Sequence, residues 1–463
     1  MKIPKVFVEC CRNMLHQLLG GMYMSNEKLN EVQNSELTYG INDKPPLRLA
    51  IPLAIQHIMA AFSGIVAVPL VVGQAIGLSV EDMAFMVSAT LFVAGIATFI
   101  QVYGIGKIGS RLPCVMGTDF TFVGPGIAVA SAFGLPGYFG ATLAGSFLEI
   151  ILSYFIKPLR KFFPPVVTGI VVSLIGLTML PVSVDWVAGG VGNPEYGSPK
   201  FLLLAFIVMA IIILLNQRGK GFASSGAILI GIICGYLISI PMGLLDVTPV
   251  KDAAWLAFPK PFKYGIEFHW SAILAFIPPY LVTTVETVGD LISVATASEH
   301  DITGEELSGG ILADGVGSLI AGIFNAGPNT SFSQNVGIIP LTGVASRFVV
   351  ILASIILMLS GVFPKLGALV AIMPNPVLGG AGIMMFGMIA VGGFKLLQEV
   401  DLNRRNSLLV AVSMGLGLAV VYRPEILSGF NPTIQTIFQS GMTTGTIAAI
   451  ILNLVLPGRE IEE

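Results

Sequence analysis

The stretch "NTSFSQNVGIIPLTG", residues 329–343, is polar and contains glycine, yet strongly apolar sequence flanks it on both sides. If those flanks cross a membrane, Gln334 and Asn335 lie where water does not hydrate them, and polar groups there need partners within the protein. Interrupted backbone at that depth is tolerated only where it is buried in protein or lines a polar cavity. The stretch therefore predicts a broken membrane span that contributes to a binding site.

The composition predicts the same environment. Hydrophobic residues make up 54% of the 463 residues and charged residues only 11%, whereas soluble domains average about 45–50% and 25%. Apolar runs such as "FVVILASIILMLSGVF", residues 348–363, with their flanks are long enough to cross a hydrocarbon core about 30 Å thick. These features indicate an all-α polytopic membrane protein and disfavour a soluble helical core.

The net charge and the cysteine spacing give no reason to expect nucleic acid, a metal site or a disulfide. A net charge of −3 gives no reason to expect nucleic acid. The four cysteines follow no metal-ligand spacing, so neither a metal site nor a disulfide is expected; they are Cys10, Cys11, Cys114 and Cys234. The first 23 residues lack the continuous apolar core of a signal peptide, and Met24 is a second candidate start. Residues 1–44 are expected to form a loose cytoplasmic lead-in.

Fourteen hydrophobic segments follow the lead-in. They begin near residues 49, 83, 115, 138, 165, 201, 223, 271, 309, 333, 348, 368, 406 and 440. With loops assigned alternately from an inside N-terminus, only six of the 24 Lys and Arg residues fall outside, namely Lys200, Lys251, Lys260, Lys263, Lys365 and Arg423. Since cytoplasmic loops are enriched in Lys and Arg, both termini are expected inside, in a cytoplasmic membrane.

Two of the segments resemble each other. "TDFTFVGPGI", residues 118–127, and "TSFSQNVGII", residues 330–339, occupy the third position of two successive sets of seven segments. Because seven is odd, the second set would enter the membrane in the opposite orientation, so an inverted repeat would let both interrupted segments meet near the midplane. Chance similarity between short stretches rich in Gly and Thr is the alternative.

Ionisable residues inside the apolar segments are the second indication of a site. Glu286 and Asp290 are four residues apart in "PPYLVTTVETVGDLISVATAS" and so share one helical face. His57 and Asp314 also lie in apolar segments. A single such residue is as readily a structural hydrogen-bonding group, but four of them favour a polar pathway. The sequence contains no metalloprotease, nucleophile-elbow or phosphate-loop motif, so no enzyme and no catalytic residue is predicted.

The stretch "QNVGIIPLTG", residues 334–343, closely resembles the Gln/Glu/Pro-Asn-x-Gly-x-x-x-x-Thr signature of the nucleobase-ascorbate transporters, in particular their xanthine and uric acid permease branch. The resemblance extends from about Pro45 to Pro457. It also rests on "QHIMA" in the first segment, "ETVGD" in the eighth, "LADG" in the ninth and the following "GVASR".

The resemblance implies an architecture. We expect fourteen spans in two inverted seven-span repeats, with short extended segments in spans 3 and 10. A core domain, about 45–160 and 270–364, would carry substrate past a gate domain, about 161–269 and 365–457, in an elevator movement coupled to protons. Residues 458–463 would form a short cytoplasmic tail. No cofactor other than the proton gradient is implied, and a homodimer through the gate domain is left open.

The resemblance also implies a substrate site. Glu286 would be the main substrate carboxylate, and Gln334 its amide partner. Phe120 and Ser333 would contribute backbone contacts. Further polar positions would affect affinity, coupling or the shape of the site; they are His57, Asp290, Asp314 and Asn335.

The expected substrate is an oxidised purine. Gln334 resembles the purine branch more than the uracil branch, and Asp290 resembles the xanthine pattern more than the urate pattern, so xanthine comes first and uric acid second. Asp119 departs from the family, which more often has a small polar residue there. Its acid would alter purine preference, alter proton coupling or hydrogen-bond His57. The alternatives to this function are a uracil or other nucleobase permease and an uncoupled facilitator or channel of the same fold.

Overall fold

The computed structural model describes residues 37–155, 164–219 and 221–457. The expectations for Met24, for Cys10 and Cys11, for most of the lead-in and for the 458–463 tail lie outside these residues.

The described chain is mainly helical and contains two three-residue strands. The helices are Leu47–Ala75 (α1), Val80–Tyr103 (α2), Val123–Leu152 (α3), Pro165–Val187 (α4), Pro199–Arg218 (α5), Phe222–Ser225 (α6), Ala227–Ser239 (α7), Thr248–Asp252 (α8), Trp270–Ala297 (α9), Gly304–Phe324 (α10), Ile338–Thr342 (α11), Arg347–Gly361 (α12), Pro364–Ala371 (α13), Asn375–Gln398 (α14), Arg404–Tyr422 (α15), Pro432–Phe438 (α16) and Gly441–Val455 (α17). The strands are Met116–Thr118 (β1) and Asn329–Ser331 (β2), and 3-10 turns cover Phe120–Phe122, Ser333–Asn335 and Pro424–Leu427.

Many helices meet the length and hydropathy that a membrane span needs. Within the described ranges nine of them do, or up to 11 if the two sharply bent pairs, α12 with α13 and α16 with α17, each count as one span. The prediction of a polytopic all-α membrane protein is thus confirmed. Fourteen spans and the inverted repeat remain predictions.

Helix α3 contains a break that separates the third and fourth hydrophobic segments. Gly134 has φ 67° and ψ −174°, a conformation that only glycine adopts readily. Pro136 follows two residues later and removes another backbone donor. The third segment is therefore composed of β1, a 3-10 turn and a half-length helix.

The two interrupted segments meet, as their similarity predicts. Strands β1 and β2 pair antiparallel, with Met116 opposite Ser331 and Thr118 opposite Asn329. Side-chain hydroxyls hydrogen-bond backbone groups that the short strands leave unpaired. The Met116 N–H, for example, donates to Thr98 Oγ1 at 2.9 Å. Because a membrane interior offers no water to these groups, the two breaks stabilise each other.

The helices pack mainly in two groups. Helices α1, α2, α3, α9, α10 and α12 pack around the strand pair, while α4, α5, α7, α14, α15 and α17 pack with one another. The α4–α14 contact is extensive and glycine-rich: Gly176 lies against the α14 backbone, and Gly393 lies against Ser173. Without a hydrophobic force between spans, such small residues permit the close backbone approach that drives association.

The end of the lead-in is ordered against the loop that follows the signature stretch, which differs from the expected loose segment. The Thr38 N–H donates to Gly343 O at 2.8 Å, the Ala345 N–H donates to Tyr39 O at 2.9 Å, and the Arg347 N–H donates to Ile41 O at 3.0 Å. Residues 37–43 therefore run alongside residues 343–347 and hold the start of α12.

Gly176→Ala should destabilise the α4–α14 contact, because a Cβ at this position would lie 2.5 Å from the Phe386 carbonyl oxygen. We expect a loss of about 1–3 kcal/mol, typical of overpacking, read as a lower apparent melting temperature in detergent. Gly387→Ala on α14 is the matched control, since a Cβ there meets no atom within 4 Å. Equal melting temperatures for both variants would contradict the packing argument.

Candidate substrate site

Helix α9 holds two carboxyls beside the strand pair. Glu286 is partly buried and Asp290, one turn further on, is 7% exposed. The helix packs against β2 and against the Phe120–Phe122 turn. The four-residue spacing predicted from the sequence therefore places both carboxyls on the side of α9 where the interrupted segments lie.

The turn Ser333–Asn335 separates its polar side chains into two environments. Ser333 and Gln334 are exposed, whereas Asn335 is 2% exposed. Asn335 Nδ2 donates to His57 O at 2.8 Å and lies 3.1 Å from His57 Nδ1. Asn335 Nδ2 thus joins the turn to α1, while Asn335 Oδ1 has no partner among the described residues. Gln334 is left available for a ligand.

Asp119 begins the matching turn in the third segment. Its Oδ1 accepts a 2.7 Å hydrogen bond from the Thr121 N–H, and its own N–H donates to Pro328 O at 3.0 Å. Asp119 Oδ2 has no hydrogen-bond partner among the described residues. The suggested bond between Asp119 and His57 is not formed: Asp119 Oδ1 bonds Thr121 and Asp119 Oδ2 has no partner in the described part of the chain, while His57 Nδ1 lies beside Asn335.

Phe120 lies where the two helix groups meet. Its ring packs edge-on against Phe386 of α14, with ring centroids 5.3 Å apart. Phe120 and Thr121 also line a cavity of about 270 Å³, whose opposite wall includes Thr178 and Met442. This aromatic contact is well placed to respond to movement of one helix group past the other.

A cluster of carboxyls surrounds the strand pair. Asp119, Asp290 and Asp314 all lie within the range of electrostatic interaction with Glu286. Asp314 is fully buried and accepts a hydrogen bond from Thr287, while Asp290 Oδ2 accepts from Ser331 at 2.9 Å. The structure thus brings these four carboxyls together. His57 and Asn335 form a separate pair.

Sequence reasoning missed a fifth carboxyl, Glu149, near the end of α3. It is fully buried, and neither carboxyl oxygen has a hydrogen-bond partner among the described residues. Asp314 lies within its electrostatic range, and so does Tyr280. The argument that singled out Glu286 applies equally to an acid inside the apolar run "AGSFLEIIL", residues 144–152, and would have identified it.

Two hydroxyls were also missed, for a different reason. Thr287 donates a hydrogen bond to Asp314, and Ser331 donates one to Asp290. Buried Ser and Thr in helices commonly bond their own backbone, as Thr284 does with Tyr280 O at 2.7 Å. No sequence pattern distinguishes a hydroxyl that bonds its own helix from one that bonds a neighbouring carboxyl.

The sequence profile of the Permease family matches residues 48–426. The chain belongs to the nucleobase-ascorbate transporter family. It is a multi-pass membrane permease and not an enzyme.

Several bacterial proteins resemble this permease along most of its length. A Clostridium perfringens protein that carries a purine permease name is 52% identical over 93% of this chain and 95% of its own. The xanthine permease of Bacillus subtilis is 40% identical over 88% of this chain and 93% of its own. The uric acid transporter of Escherichia coli is 39% identical over 88% of this chain and 86% of its own.

Solved structures share the fold of this permease at low sequence identity. The transmembrane domain of the cyanobacterial bicarbonate transporter BicA matches with a TM-score of 0.60 at 15% identity, over 89% of this chain and all of that domain. The murine solute carrier 26 member A9 anion transporter matches with a TM-score of 0.59 at 13% identity, over 92% of this chain and 70% of its own.

Asp119→Asn should leave this permease as stable as the wild type, because an amide oxygen can still accept from the Thr121 N–H. Asp119→Ala removes the acceptor, and loss of such a cap costs about 0.5–2 kcal/mol. The apparent melting temperature in detergent measures both effects. If Asp119→Asn melts as low as Asp119→Ala, the carboxylate charge and not the cap stabilises the turn. Transport by the stable Asn variant then reports what the partnerless oxygen contributes to substrate preference.

Proposed function

We propose that this permease imports an oxidised purine, xanthine or uric acid, together with protons across the cytoplasmic membrane. The observation that carries the proposal is the position of Glu286 and Gln334 beside two paired membrane-span breaks. The names of the Bacillus subtilis and Escherichia coli relatives support the purine class.

The chemistry of a 2,6-dioxopurine fits these groups. Its edge presents ring N–H donors beside carbonyl acceptors, which a carboxylate and an amide complement. In our proposal Glu286 accepts the N–H bonds, and Gln334 both donates and accepts. The backbone N–H groups of Phe120 and Ser333 donate to no other described residue and are therefore available for purine acceptors.

Proton coupling follows from the carboxyl cluster. Four acids around one strand pair in a low-dielectric interior cannot all be ionised without large mutual repulsion. A proton bound there lowers the cost of holding a polar substrate beside Glu286. We therefore propose His57, Asp290, Asp314, Asn335 and Asp119 as residues that couple protons to the site or shape it.

The transport step would be an elevator movement of one helix group past the other. We propose that α1, α2, α3, α9, α10 and α12 belong to the core, about 45–160 and 270–364, and that α4, α5, α7, α14, α15 and α17 belong to the gate, about 161–269 and 365–457. Polar contacts between the two groups, such as Gln56 Nε2 to Ser225 Oγ at 2.9 Å and Gln74 Nε2 to Asn375 Oδ1 at 3.1 Å, would have to break in this movement. The loop before α9 would move with the core, because Lys263 Nζ donates to Asp82 Oδ1 at 3.0 Å and the Phe262 N–H donates to Ile323 O at 2.9 Å. Fourteen spans with both termini inside, and a homodimer through the gate, complete the proposal.

Uptake of labelled xanthine, uric acid, guanine, hypoxanthine and uracil by transporter-deficient cells tests the function. We expect xanthine and uric acid to accumulate against their gradients and a protonophore to abolish the accumulation. Uracil uptake above both purines would reject the purine assignment. Rapid equilibration without accumulation would indicate a facilitator or channel.

Glu286→Gln should abolish purine uptake while the protein still reaches the membrane. The substitution preserves volume but replaces one acceptor oxygen with an NH₂ donor that faces a purine N–H. Each unpaired buried donor costs about 1–3 kcal/mol, or roughly 5- to 150-fold in affinity. Uptake kinetics and purine binding to purified protein measure the loss.

Three further variants test the specificity of that result. Glu286→Asp withdraws the carboxylate by one methylene and should bind more weakly without losing all uptake. Gln334→Asn should weaken or redirect purine recognition. Glu81→Gln, at an exposed position in the first turn of α2, is the control and should transport normally. Saturable wild-type uptake by a correctly inserted Glu286→Gln protein would remove Glu286 from the substrate site.

A further inference from the structure

Two hydroxyls connect two buried carboxyls in one continuous chain of polar contacts. Asp290 Oδ2 lies 2.9 Å from Ser331 Oγ, which lies 3.3 Å from Thr287 Oγ1, which in turn bonds Asp314 Oδ2. Asp290 is 7% exposed, and Asp314 and Thr287 are fully buried. Water therefore has little access to compete for these bonds.

The number of available hydrogen atoms limits the net charge of this chain of polar contacts. Each hydroxyl carries one hydrogen, so three consecutive contacts need three hydrogens, of which Ser331 and Thr287 supply two. If Asp290 and Asp314 are both ionised, each hydroxyl points at its own carboxylate and two bare oxygens face each other at 3.3 Å. If both are protonated at Oδ2, Ser331 can donate to Thr287 only when the Thr287 hydrogen turns to Thr330 Oγ1, 3.4 Å away. One shared proton satisfies all three contacts without Thr330.

We propose that Asp290, Ser331, Thr287 and Asp314 form a proton wire that carries the coupling proton from Asp290 on α9 to Asp314 on α10. This inference rests on the proposed proton coupling and assigns it a route. Ser331 and Thr287 are positioning residues, because they conduct the proton without touching substrate.

The transfer step is balanced. Protonated Asp290 gives its proton to Ser331 Oγ, Ser331 gives its own to Thr287 Oγ1, and Thr287 gives its own to Asp314 Oδ2. Three O–H bonds break and three form. The negative charge moves from Asp314 to Asp290, and both hydroxyls reverse their direction. No other reactant is needed.

The surroundings of the wire distinguish its two ends. The titratable groups that face it are Glu286 on α9, Asp119 and Cys114 beside β1, and Glu149 on α3. Asp290 lies one helical turn from Glu286 and therefore from the proposed purine site. Asp314 lies on α10, on the side of Glu149, and its Oδ1 has no partner among the described residues. A proton that reaches Asp314 has thus left the helix that carries Glu286.

Thr287→Val and Ser331→Ala interrupt the wire with little change in volume. The test compares accumulation of labelled xanthine in proteoliposomes, driven by an inward proton gradient, with xanthine exchange at equal pH and concentration on both sides. Exchange does not require the proton to leave the protein. In both variants gradient-driven xanthine accumulation should fall at least about tenfold. Their xanthine exchange should stay within about threefold of the wild type.

Two controls separate the wire from a packing role. Thr287→Ser keeps the hydroxyl and should retain accumulation. Thr284→Val removes an equally buried hydroxyl from the same helix, but one that bonds only its own backbone, so it should behave as the wild type. Wild-type accumulation by Thr287→Val, or the same loss in Thr287→Ser, would overturn the wire.

The infrared carbonyl band of protonated carboxyls tests the wire without transport. Thr287→Val and Ser331→Ala should both shift the same band, because each removes a link from one chain, and Thr284→Val should shift none. A band that responds to only one of the two substitutions would reject the shared proton. If wild-type protein does not accumulate any purine, the proposed function fails, and this spectrum still decides whether the wire exists.

Discussion

The pairing of β1 with β2 is the interaction on which the rest of the site depends. Two spans give up helical hydrogen bonds here, and a membrane interior provides no water to replace them. Antiparallel pairing of Met116–Thr118 with Asn329–Ser331 replaces some of the lost helical hydrogen bonds. Hydroxyls complete the set, since Thr118 Oγ1 donates to Ile65 O at 2.8 Å and the Asn329 N–H donates to Ser318 Oγ at 3.0 Å.

This pairing also explains why so many polar side chains tolerate burial in one place. Once backbone breaks bring unpaired groups into the apolar interior, further polar groups find partners there at lower cost than anywhere else along a span. Ser331 bonds Asp290, Thr287 bonds Asp314, and Asn335 bonds His57. The carboxyls then lie in a common electrostatic environment, so the charge state of one depends on the others.

The sequence predicted those features that depend on a single segment of the chain. Apolar length predicted the membrane helices, and the polar stretch at 329–343 predicted a break, because both follow from the cost of unsatisfied groups in lipid. Glu286 and Asp290 were found for the same reason. Contacts between distant segments were not predictable. Whether His57 bonds Asn335 or Asp119 depends on how two turns face α1. Thr287 and Ser331 carry no local signal, whereas Glu149 carried one that was overlooked.

Electrostatic coupling within the cluster is of the size that a symporter needs. A unit charge about 7 Å away, at an effective dielectric constant of about 20, changes the energy of a carboxylate by about 2 kcal/mol. Coupling between two ligands typically amounts to about 1–3 kcal/mol, and it is reciprocal: a proton that favours purine binding is itself bound more tightly once the purine is present. In the proposed mechanism, moving one proton from Asp290 to Asp314 would change the field at Glu286 without breaking any contact between Glu286 and the purine. A fixed binding geometry beside β1 and β2 would then bind purine tightly with one proton position and release it with the other.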